Sequence, residues 1–349
     1  MKRVLAALLT TLLAGCLLPV LFYYGIFLLL QKDPAAAVRT FAADLQGQRV
    51  PLPPTAAGQP AVPSPSPAPE EKIPVWDSGT QRLLEVSLRE YVIGAVASEM
   101  PVSWPDAALQ AQAVAAHTYL LYRRDHTDPA TLHGAWLPAD PARRQGFLTD
   151  AVLRSYWGPH YAENYARLSA LVDPLLQTIL TWEQEPAATS YFALSNGRTE
   201  ASQNVWNEAL PYLQGVDSSW DKAAEGYART VHFSSTQMHS ALVTALEIRP
   251  DGCLPAEYFT DFVYTDAGYV YSVQVCGQEV LGTVLRAALD LRSSCFAIQW
   301  DGTDFVITTY GYGHGVGLSQ TGARAMAENG SSWQEILLHY FPGTSVAIL

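Results

Sequence analysis

The chain has 349 residues, 49% hydrophobic and 15% charged, enough apolar material for one large core or two small ones. Its formal net charge of -12 excludes nucleic acid or another polyanion as partner, because such partners need a basic surface. The 9 Trp and 18 Tyr supply flat side chains suited to a sugar groove, although most such residues are core.

Lys2 and Arg3 precede an uncharged run over residues 4–30. A bilayer crossing needs about 20 apolar residues, whereas a cleaved secretory signal has an apolar region of about 7–15. The run predicts one uncleaved transmembrane helix, residues 1–31 being cytoplasmic tip and anchor. Lys2 and Arg3 keep the N-terminus in the cytoplasm and place the rest outside the cell membrane. Leu13-Ala14-Gly15-Cys16 is a rival lipoprotein-type processing site, but the apolar run continues well past Cys16. Residues 32–79 are rich in Pro and Ala, with Pro63-Ser64-Pro65-Ser66-Pro67 at the centre, and read as a semi-rigid extracytoplasmic linker. Residues 80–349 form the folded part.

Alternation over residues 81–87 predicts a strand leading into a helix. Tyr91, Val92, Val96 and Met100 give that helix an apolar face, and Pro101 stops it near Met100. Glu99 then lies in the last turn, facing the negative end of the helix dipole. Met100, Pro101 and Trp104 surround it, which raises its pKa toward that of a usable general acid. Taken alone, such a Glu is more often a solvated surface acid. A second helix is expected behind it over residues 105–124, with Ser103 as candidate cap and Pro105 and Asp106 in the first turn. Gln110 and Gln112 are uncharged amides in this run; one could turn inward to hold the Glu99 carboxyl or a sugar, or both could be solvated.

Residues 123–158 are irregular and read as an excursion from the core. Helix and strand follow over 162–182, then a strand over 189–194. It runs into the turn Ser195-Asn196-Gly197-Arg198-Thr199. Residues 227–307 are mostly β-patterned, at 231–234, 245–248, 269–275 and 296–300, with short helices at 235–243 and 283–289. After the glycine-rich stretch around His314, two more helices are expected, through Glu328 and over 333–339. The whole predicts an α+β fold, a helical lobe carrying Glu99 packed on a β-rich lobe.

Gly311, Gly313, Gly315 and Gly317 alternate around His314, so the backbone there can approach other groups closely. The spacing matches no nucleotide loop and no Lys follows, which rules out that reading. Ser319 and Gln320 close behind make the loop a candidate site wall. No His or Cys pair has metal-ligand spacing, so neither metal nor cofactor is expected. Cys253, Cys276 and Cys295 are well separated; outside the membrane, Cys253 with Cys276 is the expected disulfide. Serine hydrolase chemistry lacks its Gly-x-Ser-x-Gly elbow.

Three separated blocks, in order, resemble stage II sporulation protein D. They are Glu90-Tyr91-Val92 through Tyr119; Tyr191-Phe192 with Ser195 to Thr199, Val205-Trp206 and Pro211-Tyr212-Leu213; and Gly311 to Ala323 with Gly330 and residues 339–344. The likeness covers residue 83 to the end. It implies a lytic transglycosylase cutting peptidoglycan glycan strands between N-acetylmuramic acid and N-acetylglucosamine, with a 1,6-anhydro product. In that resemblance Glu99 is the catalytic acid/base. Gln112, Tyr191, Ser195, Asn196, Thr199, His314, Ser319 and Gln320 line the substrate groove. It further implies work in sporulation engulfment beside a cell-wall amidase and a membrane partner. The alternative is a non-enzymatic, peptidoglycan-binding amidase enhancer. The family usually has Arg where His117 stands. Some members carry a Cys-containing zinc site after the second helix; residues 147–157 here hold no Cys, so none is expected, although His126, His133 and His160 lie nearby.

Overall fold

A computed structural model describes residues 72–349 apart from residue 207. The expected membrane span and most of the linker lie outside the described residues. Among the described residues, no helix is long and apolar enough to cross a membrane. The folded part opens ahead of the boundary expected at 80. Strand β1 (Ile73–Asp77) buries Ile73 and Val75. Asp77 then accepts from the Gly79 and Thr80 N–H groups, at 3.0 and 3.1 Å, and turns the chain into antiparallel β2 (Arg82–Val86).

Helix α1 (Leu88–Glu99) begins with a capping box: the Ser87 hydroxyl accepts from Glu90 N–H, and the Glu90 carboxylate accepts from Ser87 N–H. Such a cap is worth about 1 kcal/mol. The helix ends where Pro101 requires, with Met100 extended at φ −128°. Helix α2 (Asp106–His126) starts at Pro105, which carries no side-chain cap, and not at the expected Ser103. The proline's preset backbone angle is sufficient to lead into the first turn. Ala108, Ala111, Ala113, Ala115 and Ala116 are all buried in α2, among residues packed against α1 and the C-terminal helices.

The segment read as an excursion returns to the core. Strand β3 (Leu137–Ala139) joins β1 in parallel. Phe147 and Leu148 are each only 1% exposed, and the Leu148 N–H donates to the Gly94 carbonyl at 3.1 Å. The reason is steric as much as hydrophobic. A Cβ on Gly94 would sit 2.3 Å from the Leu148 carbonyl and 2.5 Å from the Phe147 ring, so only glycine lets this loop lie on α1. Helices α3 (Asp150–Trp157) and α4 (Tyr161–Val172) follow. Then come β4 (Thr178–Trp182) and β5 (Glu185–Pro186). The strand expected over 189–194 is two residues long, β6 (Tyr191–Phe192), and the short helix α5 (Gln203–Trp206) lies beyond it.

The β-rich lobe has its own apolar core, built around Met238, Leu242, Val273, Val275, Leu285, Phe305 and Ile307. It runs through β7 (Ala228–Ser234), α6 (Ser235–Leu246), β8 (Phe259–Tyr264), β9 (Val270–Val275), β10 (Gln278–Leu281) and α7 (Gly282–Ala288). Strands β11 (Phe296–Trp300) and β12 (Asp304–Tyr310) complete it. Two antiparallel sheets result, ordered β10-β9-β8 and β11-β12-β7. The strand expected at 245–248 is instead the end of α6. The Ser234–Gln237 capping box starts that helix, and Glu247 stops it in the left-handed region at φ 58°. Cys253, Cys276 and Cys295 are free thiols. The Cys253 and Cys276 thiols expected to be bonded lie within hydrogen-bond reach of one another without a disulfide.

The chain then returns to the helical lobe through β13 (Leu318–Ser319), α8 (Gln320–Glu328), α9 (Trp333–Tyr340) and β14 (Ser345–Ile348). Strand β13 pairs in parallel with β6, and β14 pairs with β4. Both α8 and α9 pack on α2. The mixed α+β architecture, helices with several sheets, is as the sequence predicts. Gly94→Ala should destabilise the fold by about 2 kcal/mol, from the overpacking it forces against Phe147 and Leu148. Thermal denaturation should read this as a fall in Tm of about 4 °C, and an unchanged Tm would contradict this packing.

Candidate active site

Glu99 is half-buried at the end of α1. Its Oε2 accepts from the Gln320 side-chain amide at 2.9 Å, across 221 residues of sequence. The Gly146 N–H also bonds the carboxyl. That donor comes from the loop that Gly94 admits, and Gly146 sits in a left-handed turn at φ 75°. Burial raises the Glu99 pKa above the usual carboxylate range, and the bonds from Gln320 and Gly146 lower it only in part. No neighbouring carboxylate contributes to the shift.

Three phenols stand around it. Tyr191 lies edge-on to Tyr119, with ring centroids 6.5 Å apart. The Tyr91 and Tyr191 hydroxyls are held well above their ordinary pKa by burial, with Tyr119 and Glu99 adding to it. They stay uncharged beside the acid.

His314 reaches this site through Tyr191. Its Nε2 donates to the Tyr191 carbonyl at 3.1 Å, and its Nδ1 accepts from the Val316 N–H at 3.2 Å. Burial lowers its pKa to about 4, so the ring is neutral and each nitrogen is engaged. Phe192 and Trp206 flank it, at centroid distances of 5.5 and 5.1 Å. His314 therefore fixes the wall and is not poised to exchange a proton. Gly317 lets the loop close on β6, since a Cβ there would sit 2.2 Å from the Ser190 carbonyl.

The other groove candidates divide. Gln320 touches the acid. Gln112 is fully buried, but neither of its amide atoms has a hydrogen-bond partner, so it does not hold the Glu99 carboxyl. The Ser195 and Ser319 hydroxyls donate to the Asp221 carboxylate, at 2.6 and 2.7 Å, and both residues are buried. Asn196 braces its own turn: it donates to the Ala267 carbonyl at 2.8 Å and accepts from the Arg198 N–H at 3.0 Å. Thr199 is fully buried and accepts from the Val216 N–H at 2.8 Å. All four hold the scaffold; Ser195, Thr199 and Ser319 are buried and Asn196 is half-buried.

Two participants escape sequence reasoning. Gly146 looks like an ordinary loop glycine in a stretch of mixed polarity. Asp221 follows Trp220 in a Ser-rich turn, and nothing local says that its carboxylate is buried. His117 is 2% exposed and burial lowers its pKa to about 4, so the ring is neutral.

A cleft of about 440 Å³ adjoins the site, lined in part by Tyr119, Tyr122, Arg123, His126, Ser190 and Trp206. Tyr119 and Trp206 connect it to Tyr191 and His314. A larger cleft, about 500 Å³, follows another face of α2 along His117, Leu121 and Arg124; neither cleft is lined by Glu99 itself or by any of the groove candidates. Among the described residues, no group of three or more His, Cys, Asp or Glu is placed to hold a metal ion.

Residues 77–164 match the family described as Stage II sporulation protein. The chain is 35% identical to Stage II sporulation protein D of Bacillus amyloliquefaciens, over 79% of this chain and 78% of that one. It is 33% identical, over the same shares, to Stage II sporulation protein D of Bacillus subtilis (strain 168). It is 26% identical to a protein of the latter organism named Amidase enhancer, over 72% of this chain and 40% of that one. The chain belongs to the stage II sporulation protein D family, whose role is in sporulation.

The raised Glu99 pKa has a consequence for stability. A carboxyl protonated more tightly in the folded state stabilises fully below its unfolded pKa, and that stability is lost as pH rises through the folded pKa. Glu99→Gln cannot ionise and keeps an oxygen for Gln320. It should raise Tm by about 2 °C at pH 7.5 and leave it unchanged near pH 3.5, as read by scanning calorimetry. An equal gain at both pH values would mean that the charge is not the cause.

Proposed function

We propose that the protein is a membrane-anchored lytic transglycosylase that cleaves peptidoglycan glycan strands during sporulation engulfment. The observation that carries this is a single half-buried carboxyl, proton-retentive through burial, held by Gln320 and Gly146, with no second carboxylate among the described residues contributing to its shift. A two-carboxylate glycosidase needs a partner acid about 5–10 Å away. One carboxyl suffices when the substrate supplies its own nucleophile.

Protonated Glu99 gives its proton to the glycosidic oxygen, and the bond from that oxygen to the muramyl C1 breaks. The cation-like C1 is trapped by the muramyl N-acetyl oxygen or directly by its 6-hydroxyl. The Glu99 carboxylate then removes the proton of that hydroxyl as the C1–O6 bond closes, and where the acetyl oxygen had bonded C1 that bond breaks and the N-acetyl group is restored. The product is a 1,6-anhydro end; no water is consumed and Glu99 is reprotonated. The rings of Tyr119, Tyr122, His126 and Trp206 suit stacking against sugar faces. A peptide-stripping amidase and a membrane partner complete the setting.

A second reading is non-enzymatic: the chain grips peptidoglycan and assists an amidase. The relative named Amidase enhancer supports it, and this chain spans less than half of that protein.

Incubating purified protein with denuded glycan strands should release anhydro-muramyl products, identified by mass spectrometry. Glu99→Gln should lower their formation at least about 100-fold. Products from neither form would favour the non-enzymatic reading, and equal products from both would remove Glu99 from the chemistry.

A further inference from the structure

We propose that Asp221 is the positioning residue of this site: it secures the helix start from which Gln320 reaches Glu99. Its side chain is fully buried in the turn after Trp220. Four hydrogen bonds converge on one of its oxygens, Oδ2. They come from the Ser195 N–H at 3.0 Å, the Ser195 hydroxyl at 2.6 Å, the Ser218 hydroxyl at 2.9 Å and the Ser319 hydroxyl at 2.7 Å. These donors belong to three separate stretches of chain: the turn after β6, the turn around Asp221 itself, and β13.

Ser319 also caps α8, accepting from the Gly322 N–H at 3.3 Å. The next residue is Gln320, whose amide lies on Glu99. The start of α8 is seated on the same group of hydroxyls. A Cβ on Gly322 would stand 1.9 Å from the Tyr340 oxygen and 2.6 Å from that of Ser218, and those two oxygens are 2.8 Å apart. A shift in Ser319 would therefore move Gln320.

The other oxygen, Oδ1, is buried with no partner, and no cation pairs with Asp221 in any ion pair among the described residues. Charge neutralisation is thus not its role. A lone acceptor collecting hydroxyls from three segments fixes their mutual geometry instead. Burial raises its pKa, and the hydroxyl donors oppose that rise.

The consequence for catalysis rests on the lytic reading of Glu99; the consequence for the Glu99 carboxyl does not. Carbon-13 NMR of carboxyl-labelled glutamate in the purified protein follows the Glu99 titration, its resonance being the one absent from Glu99→Gln. Gln320→Leu removes a donor that favours the charged form, so the titration should move to higher pH. Asp221→Asn and Ser319→Ala should move it in the same direction. In Ser319→Ala, kcat for anhydro products should fall about tenfold with KM unchanged, the size of one hydrogen bond to a charged group. The proposal is overturned if Gln320→Leu leaves the titration unmoved. It is equally overturned if Asp221→Asn and Ser319→Ala lower Tm but leave Glu99 titrating as in wild type. Should Asp221→Asn fail to fold, Ser319→Ala decides alone. Shifted titrations with no anhydro product from wild type would uphold the positioning role and defeat the lytic reading.

Discussion

One hydrogen bond ties the two ends of the folded chain together: the Gln320 amide on the Glu99 carboxyl. Around it two opposing effects set the character of the acid. Burial disfavours the charged form, while donors from Gln320 and Gly146 favour it, and burial prevails. Removing the donors would leave the carboxyl loosely placed; exposing it to water would return it to an ordinary surface glutamate. The site depends on both conditions holding together.

Neither donor can reach Glu99 without a close backbone approach elsewhere. Gly94 lets the loop carrying Gly146 lie directly on α1. Gly317 lets the loop before Gln320 close on β6, where β13 adds its two-residue parallel pair. His314 then bridges Tyr191 and Val316 as a neutral ring. The most conspicuous residue in the glycine-rich stretch is thus a brace, and the candidate acid stands at the other end of the folded chain. The hydroxyls of Ser195 and Ser319 have a similar role, turned inward onto Asp221 and away from open space.

The β-rich lobe has a separate apolar core and reaches the site through its edges. Thr265 donates to Glu200, whose backbone N–H bonds the Gly315 carbonyl at 2.7 Å. Asn196 likewise reaches the Ala267 carbonyl. These contacts place the lobe behind the wall of the site, supporting the loop that carries His314.

The sequence by itself determined the local elements and the candidate acid. Pro101 after Met100 ends α1 at Glu99, β-type patterning marks three of the six strands of the β-rich lobe (β7, β9 and β11), and the apolar setting of Met100 and Trp104 foretells a raised pKa. These are short-range effects, written in neighbouring residues. Four things were decided only by the tertiary structure: that Gln320 and not Gln112 holds the acid, that Gly146 contributes a donor, that Ser195 and Ser319 serve Asp221, and that His314 is neutral. Each depends on which groups meet across long stretches of chain and on how deeply they are buried. Hydrogen-bonding side chains read alike in sequence whether they face a cleft or a buried carboxylate, and the glycines beside His314 give no sign of the burial that keeps it neutral.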